Sequence, residues 1–304
     1  MKRLKNALAI KWINCLKKYK IKYAGLILLS IFEIAISVAQ PILLGKLIYS
    51  LTTKQYNEII SFTLLLFTFK ALEIFVSAIK FYLLHYLRNM INEIIRTDIV
   101  VNMLRKGVKL PITSINERLK EIVEITRKGD EIIEVAIKSL KLIVITVIVT
   151  VTTNWMIGGI MLLYMFVYYL GITVMSNPIQ KDVASMKTSG DQYFNRIHSL
   201  YDNPDSEELG KLRVVTRFFR KSRIVYNINY DKMLVVSGII ETLFQLLIYG
   251  SLAMMYFNNK ISIDIVISCI TYFTIITVVY KEISMFNIGM KQLNISFERI
   301  NELM

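Results

Sequence analysis

A chain of 304 residues that is 54% hydrophobic, with a mean hydropathy of +0.49, is too apolar for an ordinary soluble domain. Its net charge of +14 sits on cations dispersed among apolar helical patterns rather than interleaved with stacking aromatics, which argues against a nucleic-acid binder. Cys15 and Cys269, like His85 and His198, fall in segments far apart, so disulfide, metal and nucleophile chemistry have no starting constellation.

At the N-terminus, Leu4, Leu8, Trp12, Leu16 and Tyr19 recur at helical spacing with lysines on the other side. Residues 1–22 therefore read as an amphipathic elbow helix lying in the membrane interface, the plainer alternative being a frayed basic terminus. No small-residue cleavage site marks a signal peptide.

Apolar stretches then follow at Tyr23–Ile48, Ile59–Leu87, Ile132–Thr153, Trp155–Val174, Met233–Phe257 and Ile261–Tyr280. Each suits a bilayer core of about 30 Å, which needs roughly 20 apolar residues. The third is the weakest, because Glu134, Lys138 and Lys141 precede its apolar run; they are expected to snorkel toward the interface. The connections at Ser50–Glu58, Thr152–Asn154 and Asn258–Lys260 are short. The alternate connections are long and keep a helical period, as in Leu87, Ile91, Ile94, Ile95, Ile99 and Met103. They predict paired stalks that turn at Pro111–Glu117 and around Phe218–Arg223, with Asn203-Pro204-Asp205 interrupting the second.

The cations occupy the same alternate gaps. Eight lie before Tyr23, nine between Arg88 and Lys128, and ten between Lys181 and Lys232, while the other gaps hold only Lys54 and Lys260, with Lys46 at a rim. Positive charge on one side is the orientation signal of a multi-span protein and puts both termini in the cytoplasm. The reading is an all-α membrane protein of six transmembrane helices with long cytoplasmic helical extensions.

Several segments resemble one family in order and spacing. Leu87-Arg88-Asn89 through Leu104 resembles a basic helix leading to a first coupling helix, and Arg127-Lys128-Gly129-Asp130 an Arg-x-x-Asn-Asp segment. Glu208-Leu209-Gly210-Lys211-Leu212-Arg213-Val214-Val215-Thr216-Arg217-Phe218 resembles Glu-x-Leu-x-Gly-Ile-x-x-Val-Lys-x-Phe, and Phe297-Glu298-Arg299-Ile300-Asn301-Glu302-Leu303 resembles a segment ending Glu-Arg-Ile-x-Glu-Leu. The chain as a whole resembles the six-helix transmembrane domain of an ABC exporter. Asn116-Glu117-Arg118-Leu119 departs from that pattern, which has a Gly after the first coupling helix.

The resemblance implies a half-transporter that works as a homo- or heterodimer with a second transmembrane half, spans four and five crossing to it. It also implies coupling to an ATPase subunit or domain, where ATP and Mg would bind. Ile112, Thr113, Ser114 and Ile115 would form the first coupling helix, and Phe218, Phe219, Arg220 and Lys221 the second. Stalk packing is the plainer role for the two phenylalanines. Gly45-Lys46 and Gly210-Lys211 are each followed by Leu, without the spaced Gly of a phosphate-cradling loop, so the chain reads as no ATPase itself. The helical period carrying Phe286, Met290, Leu293, Phe297 and Ile300 still runs at the end of the chain. The ATPase is accordingly expected either as a separate polypeptide or as a further domain.

Ionisable residues inside spans are the candidates for the substrate pathway, because each is costly in hydrocarbon and turns to protein or water. Glu33 and Gln40 share a face of the first span; Lys70, Glu73, Ser77 and Lys80 stripe the second; Ser237, Glu241 and Gln245 stripe the fifth; Asp264, Ser268 and Thr271 lie on the sixth. Glu33, Gln40, Glu73, Glu241 and Gln245 are the candidates to line a path for polar or cationic cargo, the plainer alternative being that Glu33, Lys70, Glu73 and Glu241 pair with one another between helices. Lys70–Glu73 reads as a pair, and Lys80 as snorkelling. The overall reading is the permease subunit of an ATP-driven exporter working by alternating access, with a small peptide such as a bacteriocin as cargo. The alternative is a non-transporting immunity or receptor protein that keeps the exporter fold.

Overall fold

A computed structural model describes Asn14 and residues 17–105, 112–202 and 206–301. Its elements are α1 (Lys20–Thr52), α2 (Tyr56–Arg105), α3 (Ile112–Thr152), α4 (Trp155–Asp202), α5 (Ser206–Phe257) and α6 (Ile263–Asn301). No strand occurs among the described residues. Hydrocarbon offers nothing to hydrogen-bond a backbone amide, so a chain this apolar closes its bonds within helices. All six helices are long and apolar enough to cross a membrane, which makes this a multi-pass membrane protein. At 52 residues α5 is about 78 Å long, against a hydrocarbon core of about 30 Å. More than half of such a helix projects past the membrane. Helices α2, α3 and α4 do likewise, as the stalk reading expects.

The short connections are tight. Lys54 and Asn259 take left-handed backbone (φ 58° and 51°) to turn α1 into α2 and α5 into α6. Between α3 and α4 the Asn154 side-chain oxygen accepts from the Met156 amide at 2.9 Å, an N-cap.

The helices form two compact units. One comprises Met1–Leu163 and Gln245–Met304, and so contains α1, α2, α3 and α6 with the adjoining parts of α4 and α5. In its core lie Leu26, Ile34, Leu87, Ile91, Ile145 and Phe273. Here α1 and α6 approach closely at Gly45, where a β-carbon would collide with the Asp264 carbonyl. Nearby, Pro41 lacks the amide that would close its turn of α1. The Tyr272 hydroxyl donates to the Val38 carbonyl at 2.6 Å and the Ser268 hydroxyl to the Pro41 carbonyl at 3.0 Å, so α6 supplies donors to this loosened turn.

The second unit, Tyr164–Phe244, is an antiparallel hairpin of α4 and α5. Its pairs are Tyr164–Phe244 edge to face, Asp182–Asn229 at 2.7 Å, Ser185–Ser222 at 3.3 Å, Tyr193 stacked on Phe219, and Arg196–Glu208 at 3.1 Å. They nest one inside another with Arg196–Glu208 innermost, so the chain reverses between the end of α4 and the start of α5. The turn expected around Phe218–Arg223 is not present: Phe218, Phe219, Arg220 and Lys221 lie inside α5, more than three turns from its start. The physical reason is local chemistry. Residues 218–223 contain neither Gly nor Pro, so nothing in them stops the helix, and Asn203-Pro204-Asp205 lies outside the described residues. Most of the elbow expected at residues 1–22, and Pro111, lie outside the described residues.

Gly45→Leu should separate α1 from α6 and cost about 1–3 kcal/mol by overpacking. Gly210→Ala, with open space around it, should be neutral or stabilising by up to about 1 kcal/mol. Retention of a monodisperse peak in detergent after graded heating distinguishes the two; equal behaviour would refute the close approach.

Candidate functional site

The first unit gathers charge on facing sides of α1, α2, α3 and α6. Glu33 of α1 accepts from Ser77 at 3.1 Å and forms an ion pair with Lys80, both from α2. Those two charged side chains are 23% and 19% exposed, so Lys80 points into the bundle instead of snorkelling. Glu73 holds Lys70 at 2.7 Å, Gln40 at 3.0 Å and Ser37 at 3.4 Å. The expected Lys70–Glu73 pair is present, and Gln40 joins it from α1. Glu33, Gln40 and Glu73 are thus brought to one α1–α2 interface.

Two more helices complete the layer. Lys138 of α3 meets Glu282 of α6 at 2.8 Å and has Glu134 at 3.9 Å. Lys141 lies one turn further along α3, where Glu33, Glu73, Lys80 and Glu282 all act on its charge. The sequence reading missed Lys138, Lys141 and Glu282 as members of the layer. For the two lysines a signal was available: positions 134, 138 and 141 share one face of a helix.

Depth follows from helix rise. Glu73 lies about 25 Å, and Glu33 about 28 Å, from the ends of α2 and α1 that the short connection joins. The layer therefore occupies the half nearest the helix extensions. There Glu33, Lys80, Glu134, Lys138, Lys141 and Glu282 line a cavity of about 360 Å³ together with Leu26, Ile34, Leu84 and Val278. A second cavity of about 780 Å³ shares Glu134, Lys138 and Glu282 and continues to His85, Arg88 and Arg127. An isolated charge at the bilayer centre costs about 2.5–3.5 kcal/mol on insertion scales, and pairing plus water access lowers that cost.

Glu241 lies on α5 in the second unit, where its charge acts on Tyr168, and Gln245 follows one turn later in the first unit. Ile112, Thr113, Ser114 and Ile115 form the first turn of α3, and their side chains lie outside the described residues. Phe219 stacks on Tyr193 within the hairpin, while Phe218 is 60% exposed. Near the reversal, Tyr201 is 88% exposed, and Arg196 and Lys211 both hold Glu208. The Lys211 hydrogen bond keeps the Glu208 carboxyl below the usual carboxylate range, and Glu207 and Glu208 push the Lys211 ammonium up. What Glu208 adds to the hairpin end is therefore present above the ordinary carboxylate pKa and fades as pH falls through the lowered one.

Glu33→Gln and Lys80→Met should each lower stability, and the double variant should lose less than their sum, with a coupling of roughly 0.5–3 kcal/mol. A double-mutant cycle on unfolding in detergent measures it. Strict additivity would mean that the pair does not form.

No family model matches the chain, and no curated protein matches it. Among solved structures it matches a bacterial Atm1-family ABC exporter with ATP bound, at a TM-score of 0.81 and 12% identity. The match covers 94% of this chain and 53% of that one, so the chain spans about half the length of the exporter. Identity this low speaks for the fold alone. The order of the six helices, their length beyond the membrane and this superposition together give the chain the transmembrane-domain fold of an ABC exporter.

Proposed function

We propose that this chain is the membrane-spanning half of an ATP-driven exporter, pairing with a second transmembrane half and driven by an ATPase subunit or domain. The observation that carries the reading is the superposition over 94% of the chain, joined to helices of 41 to 52 residues that reach well past the membrane. A rigid helix moves as a rod, so displacement of its end is delivered to the span. ATP binding on the partner would draw the extensions together and hydrolysis would release them, exposing the charged layer alternately to either side. The positive-inside pattern puts the extensions and both termini in the cytoplasm.

On this reading Ile112–Ile115 supply the first contact with the ATPase. The second contact belongs near the reversal between α4 and α5, where Tyr201 offers an exposed aromatic anchor. Phe219 serves the hairpin by stacking on Tyr193. The cargo enters the first unit among Glu33, Gln40 and Glu73; a small peptide fits a lining of mixed charge and apolar surface.

Purification in mild detergent followed by mass spectrometry should recover an ATP-hydrolysing partner and a second transmembrane half. Recovery of neither would favour the non-transporting immunity or receptor protein. With the ATPase in hand, Tyr201→Ala should cut transport per ATP hydrolysed by about tenfold, near 1.4 kcal/mol of coupling. Phe218→Ala should leave that ratio unchanged. The opposite ranking would return the second contact to residues 218–221.

A further inference from the structure

The 360 Å³ cavity of the first unit is lined by six charged side chains: Glu33, Lys80, Glu134, Lys138, Lys141 and Glu282. Two closed pairs account for four of them, Glu33 with Lys80 and Lys138 with Glu282. Two charges of opposite sign are left over. The nearest cation to Glu134 is Lys138 at 3.9 Å, already held more closely by Glu282 at 2.8 Å. Lys141 makes no hydrogen bond or ion pair among the described residues. Both leftovers lie on one face of α3, two turns or about 10 Å apart along the axis. Leu26, Ile34, Leu84, Ile137 and Val279 supply apolar wall around them.

We propose that this cavity is a binding site for a zwitterion, taking a carboxylate on Lys141 and an ammonium on Glu134 with an apolar middle against the walls. The chemistry selects that class. The lining is neutral in sum but holds two separated charges with no close partner of their own, so a neutral dipolar ligand answers both. A lone anion would answer Lys141 and leave Glu134 unmatched, while meeting the Glu33 and Glu73 charges that also act on Lys141. A lone cation fails in the opposite sense. The larger adjoining cavity shares Glu134, Lys138 and Glu282 and gives a hydrophilic approach through His85, Arg88 and Arg127. That the ligand is cargo rests on the exporter reading; that it binds does not.

Linear ω-amino acids serve as molecular rulers. The purified full chain, in nanodiscs of anionic lipid that keep zwitterionic headgroups out, is titrated calorimetrically with ω-aminobutyric, ω-aminooctanoic and ω-aminododecanoic acids. The middle length, whose charges stand about as far apart as the two side chains, should bind best, and octanoate or octylamine should bind weakly. Lys141→Gln and Glu134→Gln should each weaken ω-aminooctanoic acid by roughly 30-fold or more, and Lys141→Arg should recover most of it. Binding indifferent to length, or octanoate binding as tightly as the zwitterion, would overturn the proposal on the unaltered protein, whatever the variants do. Loss of binding in phosphatidylethanolamine discs would make the occupant a lipid headgroup and would also overturn it. No nucleotide or ATPase is present, so the two readings fail separately. Length-selective binding without any recruited ATPase sinks the exporter reading alone, and a recruited ATPase without length selectivity sinks this one alone.

Discussion

Inside hydrocarbon a polar group finds a partner in the protein, in a water-filled cavity, or nowhere, and that constraint orders the whole bundle. The buried hydroxyls show it at the smallest scale. Ser30, Thr146, Ser176, Ser189, Ser237 and Thr277 all donate to carbonyls three or four residues earlier in their own helices. Their own helices thus satisfy these hydroxyls, and Ser237 also meets the Tyr168 side chain of α4. Around Pro41 the same constraint works between helices, with Tyr272 and Ser268 reaching across from α6 to the carbonyls of α1. Charged groups cannot be satisfied so locally, because a carboxylate or ammonium exceeds what one backbone group can offset. They collect instead where four helices face one another and a cavity admits water.

Much of the first unit's membrane-spanning surface outside that layer is apolar, and apolar helices in lipid have little to fix their register, since lipid tails are as good a neighbour as leucine. Ion pairs between helices are poor stabilisers but good register marks. Glu33–Lys80 ties α1 to α2, and Lys138–Glu282 ties α3 to α6. Sliding either pair of helices by one turn would strand two charges. The close approach at Gly45 adds a steric mark nearer the outer ends, so α1 is fixed by shape at one level and by charge at another.

Much of this architecture is legible in the chain because hydropathy and helical period are local properties. The spans, the short connections and the long helices were readable from residues such as Leu87, Ile91 and Ile95, which carry an apolar period straight out of a span. Lys70–Glu73 was readable for the same reason, being one turn apart on one helix. What escaped depends on reach between helices. Nothing in the neighbours of Lys80 says that Glu33 stands opposite, and Glu282 lies too far along the chain from Lys138 to suggest a partner. The reversal of the second hairpin escaped for a different reason. A motif placed it near Phe218, although residues 218–223 contain neither Gly nor Pro to stop a helix.

That displaced turn also changes what the stalk can do mechanically. With the reversal between Asp202 and Ser206, α4 and α5 are nearly equal at 48 and 52 residues, and their contacts run almost to the end of the hairpin. The Tyr193–Phe219 stack, the Asp182–Asn229 and Ser185–Ser222 hydrogen bonds, and the Arg196–Glu208 pair close the two helices at successive levels. A turn at residue 220 would have left a long single helix beside a short one, free to bend where no partner braced it. A doubly braced hairpin resists bending, because bending one strand would break contacts made by the other. Load applied near Tyr201 is therefore carried along the length of the hairpin before it can be dissipated in its turn.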